Sequence, residues 1–377
     1  MLGVSKKYKS FATSTFNNIG ENNTPFDYYS NTKTVDQILN EPTIAPRYLS
    51  EPTINNIIDD KRNNINNNFW SSYNALHKLG NKGSIKTNLY YLRDEIKSEQ
   101  QYQDNNIING QSFITSEEYF INKKPIQYRG DVEIKLKPTI SSLLEYRVRY
   151  KQEKIISKNS IIQNKSINFN SNLETNDDLF DQRLSYTNRI TDSKAIMLIA
   201  NYSSSTVPQL VTYSPAIINP LSFISNAQFS SFQKSKANFQ SILFGNGSNN
   251  LKYKSSLTLD LQNVKYKSEL KGLQNNNSQN IIGFNNDIDY KINLIGLDQQ
   301  FGIIKNKLRV LLGLNFSIVS QNIIDKINEV KLQKSNFLIQ PLLNISVKTG
   351  LYSKIIFSTS YKQRPFNETN FVTSNVL

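Results

Sequence analysis

A strict two-residue alternation in the stretch SLLEYRVRYK, residues 142–151, constrains the fold more than any other feature of the sequence. Successive side chains of a β-strand point to opposite faces of the sheet, so this stretch predicts a strand with two unlike faces. One face carries Leu144, Tyr146, Val148 and Tyr150, and the other carries Glu145, Arg147, Arg149 and Lys151. Any fold for the chain must supply an apolar surrounding on one side and a polar surrounding on the other.

The same alternation recurs after Phe69 and predicts roughly twelve strands in six hairpins. Short connections are expected within the hairpins, at residues 138–140, 191–193, 305–307 and 348–350. Three longer polar stretches, at residues 154–178, 203–234 and 273–286, are expected to be irregular loops. Short and long connections therefore alternate along the chain.

Two surroundings fit such strands. In a soluble sandwich, the apolar face meets a second sheet and the charged face meets water. In a transmembrane barrel, the apolar face meets lipid and the charged face lines a wet lumen. Long strands, alternating loop lengths and aromatic residues near strand ends favour the barrel. Those aromatic residues are Phe69, Trp70, Tyr90, Tyr91, Tyr150, Tyr202 and Tyr361.

Composition argues against several classes of chemistry. The 377 residues include no Cys and a single His, His77, which leaves no thiolate nucleophile and no zinc cluster of the Cys/His type. Lys and Arg number 44 against 30 Asp and Glu, but acidic residues are mixed through the same strands and no recognition helix is evident. We therefore expect no enzyme activity, no cofactor, no metal and no nucleic-acid partner.

The most apolar stretch, VLLGLNFSIV at residues 310–319, is too short for a membrane-spanning helix. It has the length of a membrane-crossing strand, about 9–11 residues. The first residues, MLGVSKKYKSFATSTFNN, lack the continuous apolar core of a signal peptide.

Three stretches resemble a known family. They are SIKTNLYYLRDEIKSEQQYQDNNIINGQSFITSEEYFINKKPIQYRGDVEIK from residue 84, SLLEYRVRYKQEK from residue 142 and LFDQRLSYTNRITDSKAIMLIANYSSS from residue 179. Their strand–turn–strand pattern resembles the barrel portion of TonB-dependent outer-membrane receptors of Gram-negative bacteria. The resemblance covers most of the chain after Phe69.

The resemblance implies a large antiparallel barrel in the outer membrane, closed by a plug domain. Its implied partners are outer-membrane lipid, the plug, the remaining barrel strands, a TonB-type energy transducer and a small ligand such as a siderophore or a sugar. The transducer would contact an N-terminal part that is missing here. The sequence departs from the family by lacking a plug-like region before the first strands, a signal peptide, a transducer-binding box, about half of the strands and a final aromatic strand.

The sequence therefore predicts an all-β protein that is a partial antiparallel transmembrane β-barrel. Residues 1–65 are expected to be an irregular loop segment, and residues 66–377 the partial barrel. The function expected is energy-coupled uptake of a ligand across the outer membrane. A structural or adhesive β-rich surface protein and a passive porin-like barrel remain as alternatives. The candidate lumen-facing residues are Glu133, Lys135, Glu145, Arg147, Arg149, Lys252, Lys254, Asp260 and Arg309.

Overall fold

The computed structural model describes residues 2–20, 24, 26, 28, 45–54, 64–108, 111–218, 223–247, 250–274, 277–305, 307–350 and 353–362. For residues 105–108 and 111–113 it describes the backbone alone. The regular elements in these ranges are β-strands. Within the same ranges, no helix is long and apolar enough to cross a membrane.

Seventeen strands are present in the described part of the chain. The first seven are β1 (Leu2–Val4), β2 (Tyr8–Asn17), β3 (Asn64–Asn66), β4 (Asn68–Lys78), β5 (Gly83–Arg93), β6 (Ile96–Ile108) and β7 (Gln111–Leu136). The next five are β8 (Ser142–Gln163), β9 (Ile167–Thr191), β10 (Lys194–Ser214), β11 (Ser225–Asn246) and β12 (Leu251–Gln274). The last five are β13 (Asn277–Asn280), β14 (Asn286–Lys305), β15 (Leu308–Asp325), β16 (Val330–Lys348) and β17 (Lys354–Ser360).

The strands form a single antiparallel sheet in which each long strand pairs with its neighbours in the chain. The order across the sheet is β1, β2, β4, β5, β7, then β8 to β12 in turn, then β14 to β17. Strand β6 pairs with β7 beyond the end of β5, the short strand β3 pairs with β6, and β13 pairs with β12. This confirms the predicted all-β antiparallel meander. Among the described residues, no ladder joins β17 to β1 or β2.

The predicted short hairpin turns at residues 138–140, 191–193 and 348–350 are correct, and residue 306 of the turn predicted at 305–307 lies outside the described residues. The predicted long loops are wrong. β8 and β9 continue through the expected loop at residues 154–178 and turn at Asn164 and Lys165. Both residues have positive φ, 51° and 56°, and the Ser166 N–H donates to the Gln163 carbonyl at 3.1 Å, as in a type I′ turn within this three-residue connection. Much of residues 203–234 and 273–286 is also strand. Both faces of these extensions mix polar and apolar residues, so they lack the sharp alternation that marks the strand ends near the short turns.

Strands also begin earlier in the chain than the sequence indicated. β1 and β2 lie within residues 1–65, and β2 pairs along its whole length with β4. The expected boundary at residue 65 was therefore wrong for residues 2–17. The stretch TSTFN in β2 carries small polar residues on both faces and shows no sharp alternation.

The two faces of the sheet are distinct, and we call them the inner and outer faces. On β8, the odd-numbered residues 149, 151, 153, 155 and 157 are buried on the inner face, while Tyr150, Gln152 and Lys158 on the outer face are exposed. Residues 45–54, which we call the inner segment, lie against the inner face. Buried Ile54 joins a cluster with Leu92 of β5 and Ile155 of β8, and Ala45 joins one with Tyr266 of β12. Ten residues thus contact strands from β5 to β12, because the sheet curls around them.

Replacing Ile155 with Ala tests this inner core. Ile155 is 1% exposed and packs with Leu92, Ile96 and Ile121. Removing its side chain leaves a cavity, so we expect Ile155→Ala to lower the free energy of unfolding by about 2–5 kcal/mol. The matched control is Ile156→Ala, because Ile156 points to the outer face from the next position and is half-buried. Urea titration would measure both, and equal losses would contradict the assignment of the two faces.

Candidate functional site

An apolar band covers the outer face beside the short turns. On β15 it runs from Leu308 to Ile318, where the outward positions carry Leu308, Val310, Leu312, Leu314, Phe316 and Ile318. The exposed fraction reaches 53% for Leu312 and 54% for Ile318. Eleven residues span about 33 Å along a strand, or about 25 Å along the axis of a barrel with ordinary strand tilt. Comparable outward residues lie on the neighbouring strands, including Leu198, Leu257, Leu297 and Ile339.

A row of aromatic side chains borders this band on six adjacent strands. Its members are Phe69, Tyr91, Tyr128, Tyr150, Phe180 and Tyr202 on β4, β5, β7, β8, β9 and β10. Ring centroids lie 6.0 Å apart for Phe69–Tyr91, 5.0 Å for Tyr91–Tyr128 and 6.4 Å for Phe180–Tyr202. Beyond the row, the outer face carries polar residues such as Gln152, Lys154 and Lys265.

Four of the seven predicted boundary aromatics belong to this row: Phe69, Tyr91, Tyr150 and Tyr202. Trp70 and Tyr90 do not, because each is one residue from a member of the row and so faces inward. Trp70 packs on the cluster of Leu92 and Ile96, and the Arg129 guanidinium lies 5.8 Å from the centre of the Tyr90 ring. Tyr361 follows the end of β17. Tyr128 and Phe180 were missed, although strand parity would have identified both.

The backbone of the inner segment is bound by side chains from the sheet. The Gln209 Oε1 atom accepts hydrogen bonds from the backbone N–H groups of Tyr48 and Leu49, at 2.7 and 2.9 Å. Its Nε2 atom donates to the Leu49 carbonyl at 2.8 Å. The Ala45 N–H donates to the Ser205 hydroxyl at 3.2 Å. A single amide thus binds this non-strand backbone much as a neighbouring strand would, which satisfies polar groups that burial would otherwise leave unpaired.

An aromatic contact holds the same stretch from the other side. The Tyr48 ring stacks on Phe232 with centroids 6.0 Å apart and lies 5.5 Å from the ring of Tyr266. Phe232 and Tyr266 are themselves 4.4 Å apart and nearly fully buried. These three rings belong to the cluster with Val264 and Tyr290. The inner segment therefore packs on an apolar surface formed by β11 and β12.

Arg47 is the charged centre of the site. Its guanidinium contacts Glu51 at 3.0 Å, Glu153 of β8 at 2.8 Å and Asp177 of β9 at 3.3 Å. The side chains of the three carboxylates are at most 4% exposed. Bonds from one guanidinium to two strands and to its own segment fix the segment relative to the sheet.

Two lysines balance the remaining charge. Lys151 lies 2.8 Å from Glu153 and 3.5 Å from Asp177, and its side chain is 3% exposed. Lys123 is fully buried and donates a hydrogen bond to the Tyr28 carbonyl at 3.0 Å. Together with Arg47, these lysines supply three positive charges for the three carboxylates. A neutral network of this kind is stable when buried, whereas losing one partner leaves an uncompensated charge.

Burial also changes the titration of Glu51. Burial raises the pKa of Glu51 above its ordinary value of 4.5, although the nearby positive charges of Arg47 and Lys123 oppose that effect. The group therefore holds its proton more tightly in the folded protein than in the unfolded chain.

The nine predicted lumen-facing residues all occupy inner-face positions of their strands. Seven have ion-pair partners. Lys135 bridges Glu133 at 2.8 Å and Glu145 at 3.0 Å, and Arg149 meets Asp131 at 2.6 Å. Arg147, Lys254 and Asp260 pair with Asp181, Asp298 and Lys236. For Lys252 and Arg309, no carboxylate lies within 4.0 Å in the described part of the chain. That these residues line a lumen stays a prediction.

Sequence reasoning missed the residues that hold the inner segment. Arg47, Lys123, Asp177 and Gln209 lie in stretches without a clear apolar period, and their partners are about 70 to 160 residues apart in the chain. One signal existed: the sequence EPTI occurs at residues 41–44 and again at residues 51–54, and the second copy supplies buried Glu51 and Ile54. Residues 45–54 lie between β2 and β3 and pack against the inner face, so this part of the stretch expected to be an irregular loop contacts the strands.

These features define a class: an antiparallel β-meander with an apolar outer band and a polar inner face, one end of which is covered by a segment of its own chain. Within the described ranges, no three His, Asp or Glu side chains are grouped so as to hold a metal ion. No protein-family model matches the sequence, and no curated protein matches it significantly.

Replacing Arg47 with Met tests the charge network. The change leaves Glu153 and Asp177 with one cation fewer, so we expect the free energy of unfolding to fall by about 3–5 kcal/mol. Lys154→Met is the matched control, because Lys154 pairs with Glu174 on the exposed outer face and its loss should cost at most about 1 kcal/mol. Limited proteolysis would show whether residues 45–54 become cleavable in Arg47→Met alone. Full protection in that variant would show that Arg47 does not hold the segment.

The pKa of Glu51 predicts a pH dependence. Because this pKa is higher in the folded state, the folded protein binds more protons, and stability falls as pH rises from 4.5 through the raised pKa. Glu51→Gln removes this contribution, so the stability of the variant relative to wild type should increase with pH across that window. Urea midpoints at a series of pH values above 4.5 would measure the trend. A constant difference between the two proteins would rule out the titration.

Proposed function

We propose that the chain is the barrel portion of an outer-membrane receptor of the TonB-dependent kind, which takes up a ligand in an energy-coupled step. The observation that carries the proposal is the combination of an apolar outer band with an inner face that is partly filled by the chain itself. The band has the height of a bilayer core and an aromatic border, which suits lipid. A segment packed inside the sheet is expected for a gated passage and is not expected for an open channel.

The inner segment is the structural basis for gating. It is held by the Arg47 ion pairs, by hydrogen bonds to Gln209 and Ser205, and by the packing of its buried apolar side chains, and these contacts are with side chains of the sheet. None of them is a strand-to-strand ladder, so the segment can be displaced while the sheet stays intact. In the resemblance family, a plug is moved by an energy-transducing partner, and we propose the same role for the segment here.

The two alternatives require features that the described residues lack. A soluble sandwich needs a second sheet on the apolar face, yet the outward residues of the band are exposed. A passive porin needs an open channel, yet the inner face carries a packed segment with buried Leu49 and Ile54. Both observations support the receptor.

A pair of substitutions on β8 tests membrane insertion. Val148 points outward within the band, and Gln152 points outward beyond the aromatic row, four residues later on the same face. We expect Val148→Arg to destabilise the inserted protein by about 2–4 kcal/mol and Gln152→Arg by at most about 1 kcal/mol. The measurement is urea unfolding in lipid vesicles, with recovery in the outer-membrane fraction as a second readout. A wild-type protein that stays soluble without detergent would refute the insertion.

Energy coupling is tested by uptake. Cells that carry the gene and isogenic cells without it are given labelled ferric siderophores and labelled oligosaccharides, with and without a protonophore. Accumulation that needs both the gene and the proton gradient supports the receptor. Accumulation that needs the gene and survives the protonophore supports the porin and excludes energy coupling.

A further inference from the structure

The charged groups of the inner face differ in whether a group of opposite sign lies close to them. Next to the inner segment, three cations face three carboxylates, and Lys135, Arg147 and Arg149 are each paired. Lys252 of β12 and Arg309 of β15 differ, since neither has a carboxylate within 4.0 Å in the described residues. Both lie at the short-turn end of the sheet, at the opposite end of the strands from the inner segment.

Lys252 and Arg309 line the same cavity, which we call the basic pocket. Its volume is about 380 Å³, and its charged lining residues are Arg189, Lys194, Lys252, Lys254, Arg309 and Asp192. Five positive charges thus face one carboxylate, and Asp192 is itself fully exposed and 4.0 Å from Arg189. Lys254 is partly neutralised by Asp298 at 3.6 Å. The pocket keeps a strong positive potential.

A glycine provides the space between the two unpaired cations. Gly302 of β14 is directly opposite Lys252 on one side and Leu311 on the other, and Arg309 is opposite Ile304 two residues along. A Cβ atom at Gly302 would lie 3.6 Å from the Leu311 Cδ1 atom. A longer side chain at this position would project into the pocket, so the glycine leaves this space free for a ligand.

The floor of the pocket is apolar. Ala195, Phe244, Ile304 and Leu311 lie among the cationic side chains. Charged groups alone would attract any anion, but an apolar floor also favours a hydrophobic part of the ligand. Arginine and lysine together are the usual partners of phosphate and carboxylate oxygens.

We propose that the basic pocket binds a small anion that carries a phosphate or carboxylate group on an apolar body. The site depends on the geometry of strands β9 to β15 and does not require the receptor function. If the receptor proposal also holds, the pocket would receive an anionic ligand after the inner segment has moved.

Binding is measured by calorimetry on the purified full chain in detergent at low salt. The probes are phenyl phosphate, inorganic phosphate and the uncharged phenyl glucoside. We expect saturable binding of phenyl phosphate at one site per chain, weaker binding of inorganic phosphate and none of phenyl glucoside. Added salt should weaken phenyl phosphate binding, because the attraction is electrostatic.

Three variants separate a built site from general attraction. The double variant Lys252→Gln/Arg309→Gln should bind phenyl phosphate about a hundredfold more weakly, or about tenfold for each charge–ligand bond lost. Arg183→Gln is the control, because Arg183 is an exposed inner-face cation outside the pocket, and it should bind as wild type does. Gly302→Leu fills the space without changing the charge and should also abolish binding. Circular dichroism would verify folding of each variant.

Three results would overturn the proposal: no saturable binding of phenyl phosphate, equal binding of phenyl glucoside, or equal weakening by the double variant and by Arg183→Gln. Failure of binding in a protein that still enters the outer membrane would leave the receptor proposal standing. Binding in a protein that stays soluble would support the proposed basic pocket and contradict the receptor proposal.

Discussion

The placement of the inner segment depends on the contacts of Arg47 with Glu153 and Asp177. Each of these carboxylates lies on a different strand, and both are nearly fully buried. Buried carboxylates of this kind are costly without a cation, and Lys151 alone would have to serve both. The guanidinium completes the neutral network and at the same time holds Tyr48 and Leu49 where Gln209 can bind them. Arg47 therefore both positions the inner segment and neutralises the buried carboxylates.

This coupling gives the inner face two regions with different electrical character. Beside the inner segment, positive and negative charges balance, so the region attracts neither sign from a distance. Beside the short turns, Lys252 and Arg309 add to Arg189 and Lys194, and the potential is positive. A solute on the inner face would move from a neutral, packed region to an open, basic one.

The sequence predicted the strand ends near the short turns well and the strand ends near the inner segment poorly, for a physical reason. Val148 and Arg149 lie in unlike surroundings, so their neighbours alternate sharply and the strand can be recognised. Farther along β8, Ser157 is buried and Lys158 exposed, and both are polar. Where water lies outside the sheet and polar groups lie inside it, the two faces do not differ in polarity, and the sequence shows no alternation between polar and apolar residues.

The contacts of Arg47 and Gln209 could not be predicted either, because their partners are about 106 to 161 residues away in the chain and come close only when the sheet curls. The inner-face parity of all nine predicted charged residues, by contrast, follows from local pattern alone.

The order of the elements along the chain bears on how the protein assembles. Residues 45–54 precede β3 and every later strand, and each long strand pairs with its neighbour in the chain. The sheet can therefore grow hairpin by hairpin around a segment that has already been synthesised. The segment never has to thread into a finished wall. Neighbour-to-neighbour pairing is the arrangement that closes loops at the lowest entropic cost. In this order of assembly, the long-range contacts of Arg47 form only after the strands that bear Glu153 and Asp177 have been added.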